Sequence, residues 1–131
     1  LSRRQRQMCI RDRGGATVAA GATLPLGSAT HRCGCMALDG SAVRVPCPGY
    51  IRVDASVCFA PTAAGAVTVN LVDGTVVVAS ATATSTAANQ MIAIPLTATL
   101  KGSRCSDAKV LSLTASAAGT TGPTSVRVTS E

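Results

Sequence analysis

The chain has no tryptophan, one tyrosine (Tyr50) and one phenylalanine (Phe59). Aromatic rings normally supply large buried areas in a folded core. Here Val, Ala, Leu and Ile must do so, and smaller side chains remove less apolar surface, at about 25 cal/mol per Å². A domain of this length buries only about two-thirds of its unfolded surface. The expected core is therefore thin, and association between copies is expected to supply further burial.

Histidine is equally scarce. His31 is the only one, and no Gly-x-Ser-x-Gly elbow occurs, so a hydrolytic triad has no parts to work with. Asp39 and Asp73 each precede glycine, where turn geometry accounts for them. No glycine-rich phosphate loop is present: Gly119 to Gly122 reads as a turn. The expectation is a protein that is not an enzyme and needs no cofactor. No stretch has helical periodicity. The longest charge-free run, Gly74 to Leu100, is broken throughout by Thr, Ser, Asn, Gln and Pro. A spanning helix needs about 20 predominantly apolar residues, so no membrane partner is expected.

Acidic residues are few, six against twelve Lys and Arg, giving a net charge of +6. The excess is concentrated at the start. Residues 1–13 hold five arginines (Arg3, Arg4, Arg6, Arg11, Arg13) against Asp12. Residues 14–131 are nearly neutral, with seven basic and five acidic side chains scattered along them. The string from Gln7 to Arg13 looks like translated sequencing-adapter sequence of the kind left at the ends of metagenomic assemblies. Residues 1–13 are accordingly set apart as a non-native arm, the alternative being a basic arm for nucleic acid or an acidic surface. Residues 14–131 are expected to form a single domain. Nucleic-acid binding would need a basic face with interleaved aromatics. Tyr50 beside Arg52 is the one candidate pair, and Tyr50 reads as a packed side chain.

The organised part of the chain is a period-two pattern. Ile51, Val53, Ala55, Val57 and Phe59 alternate with Tyr50, Arg52, Asp54, Ser56 and Cys58. After a break from Pro61 to Gly65, Val67, Val69 and Leu71 resume it, and Asp73-Gly74 closes it. Such alternation marks a half-buried antiparallel strand, and residues 50–60 and 66–72 read as a hairpin. Further strands are expected over 31–38, 42–45, 75–79, 81–86, 91–100, 110–117 and 125–129, with an extended, Pro25-containing entry segment over 14–30. Pro95 marks a bulge or a sheet edge. Eight or nine short strands between Gly, Pro, Asn and Asp turns point to an all-β antiparallel sandwich or barrel.

Five cysteines lie beyond the arm: Cys33, Cys35, Cys47, Cys58 and Cys105. An odd number excludes complete internal pairing, and buried thiols in a reducing compartment are the plain reading. His31-Arg32-Cys33-Gly34-Cys35 has the one spacing that invites a metal. On a strand His31, Cys33 and Cys35 share a side, with Cys47 or Cys58 as a fourth donor. It lacks the paired Cys-x-x-Cys knuckles of a structural zinc site, so a packed strand of small residues is preferred.

The run from Gly40 to Val57, with its Pro46-Cys47-Pro48-Gly49-Tyr50 step into a long strand, resembles the central region of C1q/TNF-like jelly rolls. Val69 to Val76 is similar to their next hairpin. The resemblance covers much of residues 22–131 in order and spacing. It implies a jelly-roll β-sandwich that assembles as a homotrimer, of the kind seen in phage head-fibre and decoration proteins and in bacterial surface filaments. A structural knob on a virion or cell surface is the function it implies, with capsid or other virion proteins as partners. The alternative is a receptor- or glycan-binding adhesin domain that presents loops such as 101–108. Tyr50, Arg52, Asp54 and Ser56, the polar side of the central strand, are the expected subunit contact.

Overall fold

The computed structural model describes residues 6–33, 36–45, 50–101 and 109–130. Twelve strands and no helix occur among them. They are β1 (Arg6–Asp12), β2 (Thr17–Val18), β3 (Ser28–Cys33), β4 (Ala37–Asp39), β5 (Ala42–Val45), β6 (Tyr50–Pro61), β7 (Gly65–Asp73), β8 (Val76–Ser85), β9 (Ile92–Lys101), β10 (Lys109–Ala115), β11 (Gly119–Thr121) and β12 (Thr124–Ser130). They form two antiparallel sheets. One has seven strands in the order β2-β11-β6-β12-β1-β3, with β9 also paired to β6. The other has five, in the order β4-β5-β10-β7-β8.

β6 organises the larger sheet. It pairs with β9 from Tyr50 to Phe59, with β12 from Ile51 to Ser56, and with β11 from Phe59 to Pro61. Its alternation is the one the sequence predicts: Ile51, Val53, Val57 and Phe59 are at most 1 % exposed and Ala55 is 6 %. Inward residues of the smaller sheet meet them, among them Val67, Val69, Leu71, Leu111, Leu113 and Ala115. Phe59 is the largest fully buried side chain.

Three expectations are corrected. Residues 50–60 and 66–72 are not a hairpin. β6 already has neighbours along both edges, so β7 crosses to the other sheet and pairs with β8 and β10. Alternation says that one side of a strand is buried; it does not say which strand lies beside it. The segment 31–38 is not one strand: β3 belongs to the seven-stranded sheet and β4 to the five-stranded one. Conversely, 75–79 and 81–86 are a single strand, β8.

The arm, too, takes part in the fold. Residues 6–12 are β1, paired with β12 on one edge and with β3 on the other. Met8 and Ile10 are 0 % and 1 % exposed, within the core. The fold takes in this stretch whatever its origin, so the folded domain starts before residue 14. The arginines dominate its composition, but Met8 and Ile10 sit two apart, which is all a strand needs to bury one side.

The two glycine turns behave as expected. Gly40 (φ 61°) joins β4 to β5, and Gly74 (φ 63°) joins β7 to β8. In both, a residue without Cβ occupies the left-handed region at no steric cost. Asp73 adds a tie, accepting from Lys109 Nζ at 3.1 Å and from the Val110 N–H at 3.3 Å.

Along one side the two sheets end in β8 and β9, which approach each other without ladder pairing. β8 pairs only with β7, and β9 only with β6. Inward residues of these two strands stay half-buried although they touch the core: Ala79, Ala81 and Ala83 on β8, and Ile92, Ala98 and Leu100 on β9.

Candidate functional site

The outer face of the seven-stranded sheet carries the polar half of β6. Register fixes what lies beside it. Asp54 stands opposite Thr97 on β9 and Arg127 on β12, and Arg127 stands opposite Cys9 on β1. One step along, Ser56 faces Ser125, which faces Arg11. Arg52 faces Thr129 and Thr99, and Tyr50 faces Lys101. Arg11, Arg52, Lys101 and Arg127 thus share one face with a single described carboxylate, Asp54. Scattered along the chain, these cations show no pattern; antiparallel pairing collects them.

Tyr50 is not packed. It is 64 % exposed at the end of β6, so its ring belongs to this face rather than to the core. Arg52 and Asp54 form an ion pair along their own strand, Nε to Oδ2 at 3.2 Å. The arginine side chain is 68 % exposed and the aspartate 35 %, so water screens the pair and its contribution is small. Ser56 is exposed. All four expected contact residues therefore lie on one accessible surface.

A shallow depression of about 300 Å³ lies on this face between β1, β12 and β6. Its rim is Cys9, Arg11, Asp54, Ser56, Ser125 and Arg127. Sequence reading missed Ser125, Arg127 and Arg11. The first two were within reach, because Val126 and Val128 alternate with them, but their proximity to Asp54 and Ser56 follows only from strand pairing. Arg11 was set apart with the arm.

Of the metal candidates, His31 and Cys33 lie on β3 and Cys58 on β6. His31 is the register partner of Cys9, and Cys33 that of Gln7. Cys35 and Cys47 lie outside the described residues, as do Cys105 and most of the 101–108 loop. Cys58 is half-buried on β6. Among the described residues no group of three His, Cys, Asp or Glu is placed to hold a metal ion.

No family model and no curated protein matches the sequence. Solved structures do. Crystal structures of murine APRIL at pH 5.0, pH 8.5 and pH 8.0 superpose with TM-scores of 0.71, 0.70 and 0.69. Identities are 10 %, 9 % and 8 %, over 98 % of this chain and 100 % of the other in each case. At such identity the likeness carries the fold alone: this is an all-β, antiparallel TNF-like jelly roll.

Proposed function

We propose that the protein is a non-enzymatic structural knob, a homotrimer serving as a head-fibre or decoration component of a phage virion. The observation that carries the assembly is the pair of unpaired strand edges, β8 and β9, on one side of the sandwich. Natural sheets blunt their edges with short strands or proline. β4 has three residues and β2 has two, and Pro95 sits within β9. β8 has ten residues with neither proline nor charge, next to half-buried alanines. That edge asks for a cover.

A second copy fits. In this reading the β8/β9 side of one protomer packs on the outer face of the next protomer's larger sheet, at Tyr50, Arg52, Asp54 and Ser56. Two different surfaces meet, so the contact is heterologous and closes as a ring. The thin aliphatic core and the resemblance to trimeric jelly rolls favour three copies.

The virion assignment is tested by mass spectrometry of purified phage particles from a host whose genome carries this gene. Recovery of the chain in stoichiometric ratio to the capsid protein supports it, and its absence from the particles removes it. A receptor- or glycan-binding domain on a phage or bacterial surface is the second reading, favoured by the depression at Arg11 and Arg127.

A further inference from the structure

We infer that the contact between copies is anchored at one end of the sandwich, where Val76 and Val77 of one protomer receive the ring of Tyr50 of the next. The inference rests on the assembly proposed above and names the side chains that hold it. Among the described residues Tyr50, Val76 and Val77 are the most exposed large apolar side chains, at 64 %, 62 % and 53 %. Scattered singly, such residues are ordinary on a protein surface. Here the fold places all three at the same end. Tyr50 opens β6 and stands opposite Lys101, the last residue of β9. Residues 86–91 join β8 to β9 at the far end, and the two strands approach each other, so the start of β8 lies beside the end of β9.

The three side chains also fall on the two surfaces that the assembly brings together. Val76 and Val77 begin the unpaired edge strand of the smaller sheet, and Tyr50 lies on the outer face of the larger one. Copies related by an axis along the strands keep this end at a common height, so Tyr50 of one copy meets the start of β8 of another. The rest of the β8 edge has little to add, because Ala79, Ala81 and Ala83 each carry a single methyl group. A tyrosine buries on the order of 150–250 Å² and keeps its hydroxyl at a wet rim. One aromatic anchor among near-neutral contacts is the usual anatomy of an interface. Each protomer presents Tyr50 to one neighbour and the two valines to the other. A closed ring engages every pair, whereas an open row leaves one Tyr50 and one valine pair in water at its ends.

Sedimentation equilibrium of the full chain and its variants tests the anchor. Tyr50→Ala and Val77→Ala are each expected to weaken the trimer at least about tenfold. Combined, they should weaken it by less than the product of the two, since both remove the same contact. Val110→Ala removes an exposed valine at the same end but two strands in from the edge, and leaves assembly unchanged. Circular dichroism of each variant separates lost assembly from lost fold. The placement is read by mixing Tyr50→Cys chains with Val76→Cys chains under mild oxidation. A covalent heterodimer is expected, in excess of that formed by Tyr50→Cys with Val110→Cys. A wild-type trimer that ignores Tyr50→Ala and Val77→Ala, or gives no such excess, overturns the anchor and leaves the assembly standing. A wild-type monomer overturns both.

Discussion

Arg127 is the register partner of Asp54 across β12 and β6, yet the carboxylate of Asp54 meets Arg52, two residues along its own strand, at 3.2 Å. The arrangement leaves Arg127 uncommitted and makes the Arg52–Asp54 pair a surface feature. In a monomeric background such as Ala81→Arg, where no second copy covers the pair, Arg52→Ala is therefore expected to change unfolding free energy by less than about 1 kcal/mol. Urea denaturation checks it. A loss of several kcal/mol there would contradict the exposed geometry of the pair.

The core predicts a steeper response. Phe59 is fully buried and is the only aromatic side chain in the core. Phe59→Ala is expected to cost about 3–5 kcal/mol, since aliphatic neighbours on two sheets cannot close the cavity. Urea denaturation reads the loss as a fall in midpoint at unchanged slope.

Gly119 and Gly40 separate two reasons for glycine. A Cβ on Gly119 would lie 2.3 Å from the Ala60 carbonyl oxygen and 2.8 Å from the Phe59 ring. At Gly40 it would meet nothing within 4 Å, but φ is 61°. Gly40→Ala is expected to cost about 1–2 kcal/mol, the left-handed penalty. Gly119→Ala should cost more, because the obstacle is backbone of the paired strand β6 and cannot rotate away. Thermal melting of the two variants ranks them, and the reverse order would contradict the packing described.

β1 supplies a fourth test. Met8 and Ile10 insert between the sheets, and β3 reaches β12 only through β1. Met8→Ala and Ile10→Ala are each expected to cost about 2–5 kcal/mol. Removal of residues 1–13 should lower the melting temperature further and abolish the exchange protection of the β12 amides that pair with β1. Unchanged melting after that deletion would show that the strand adds nothing to the fold.

These cases mark what a chain of this kind discloses. Period-two burial was legible along β6, β7, β9, β10 and β12, because one side of each strand must leave water. The Asp39-Gly40 and Asp73-Gly74 turns were legible because positive φ has few residues to choose from. Pairing was not. Nothing local to Pro61 or Gly65 tells β7 to cross between sheets; that follows from β9, β11 and β12 occupying both edges of β6. The cationic face was hidden for the same reason, since Arg11, Arg52 and Arg127 come from three strands far apart in the chain. Tyr50 was misread because an aromatic in an otherwise aromatic-poor chain was assigned to the core by type, while its parity with Arg52 and Asp54 put it outside.

The central claim is that the unpaired β8/β9 side is covered by another copy. Sedimentation equilibrium of the full chain at micromolar concentration tests it most directly, with Ala81→Arg beside it to place a charge on that side. The account predicts a particle of three chains for the wild type and a folded monomer for Ala81→Arg. A stable wild-type monomer would contradict it, and so would a trimer indifferent to the arginine.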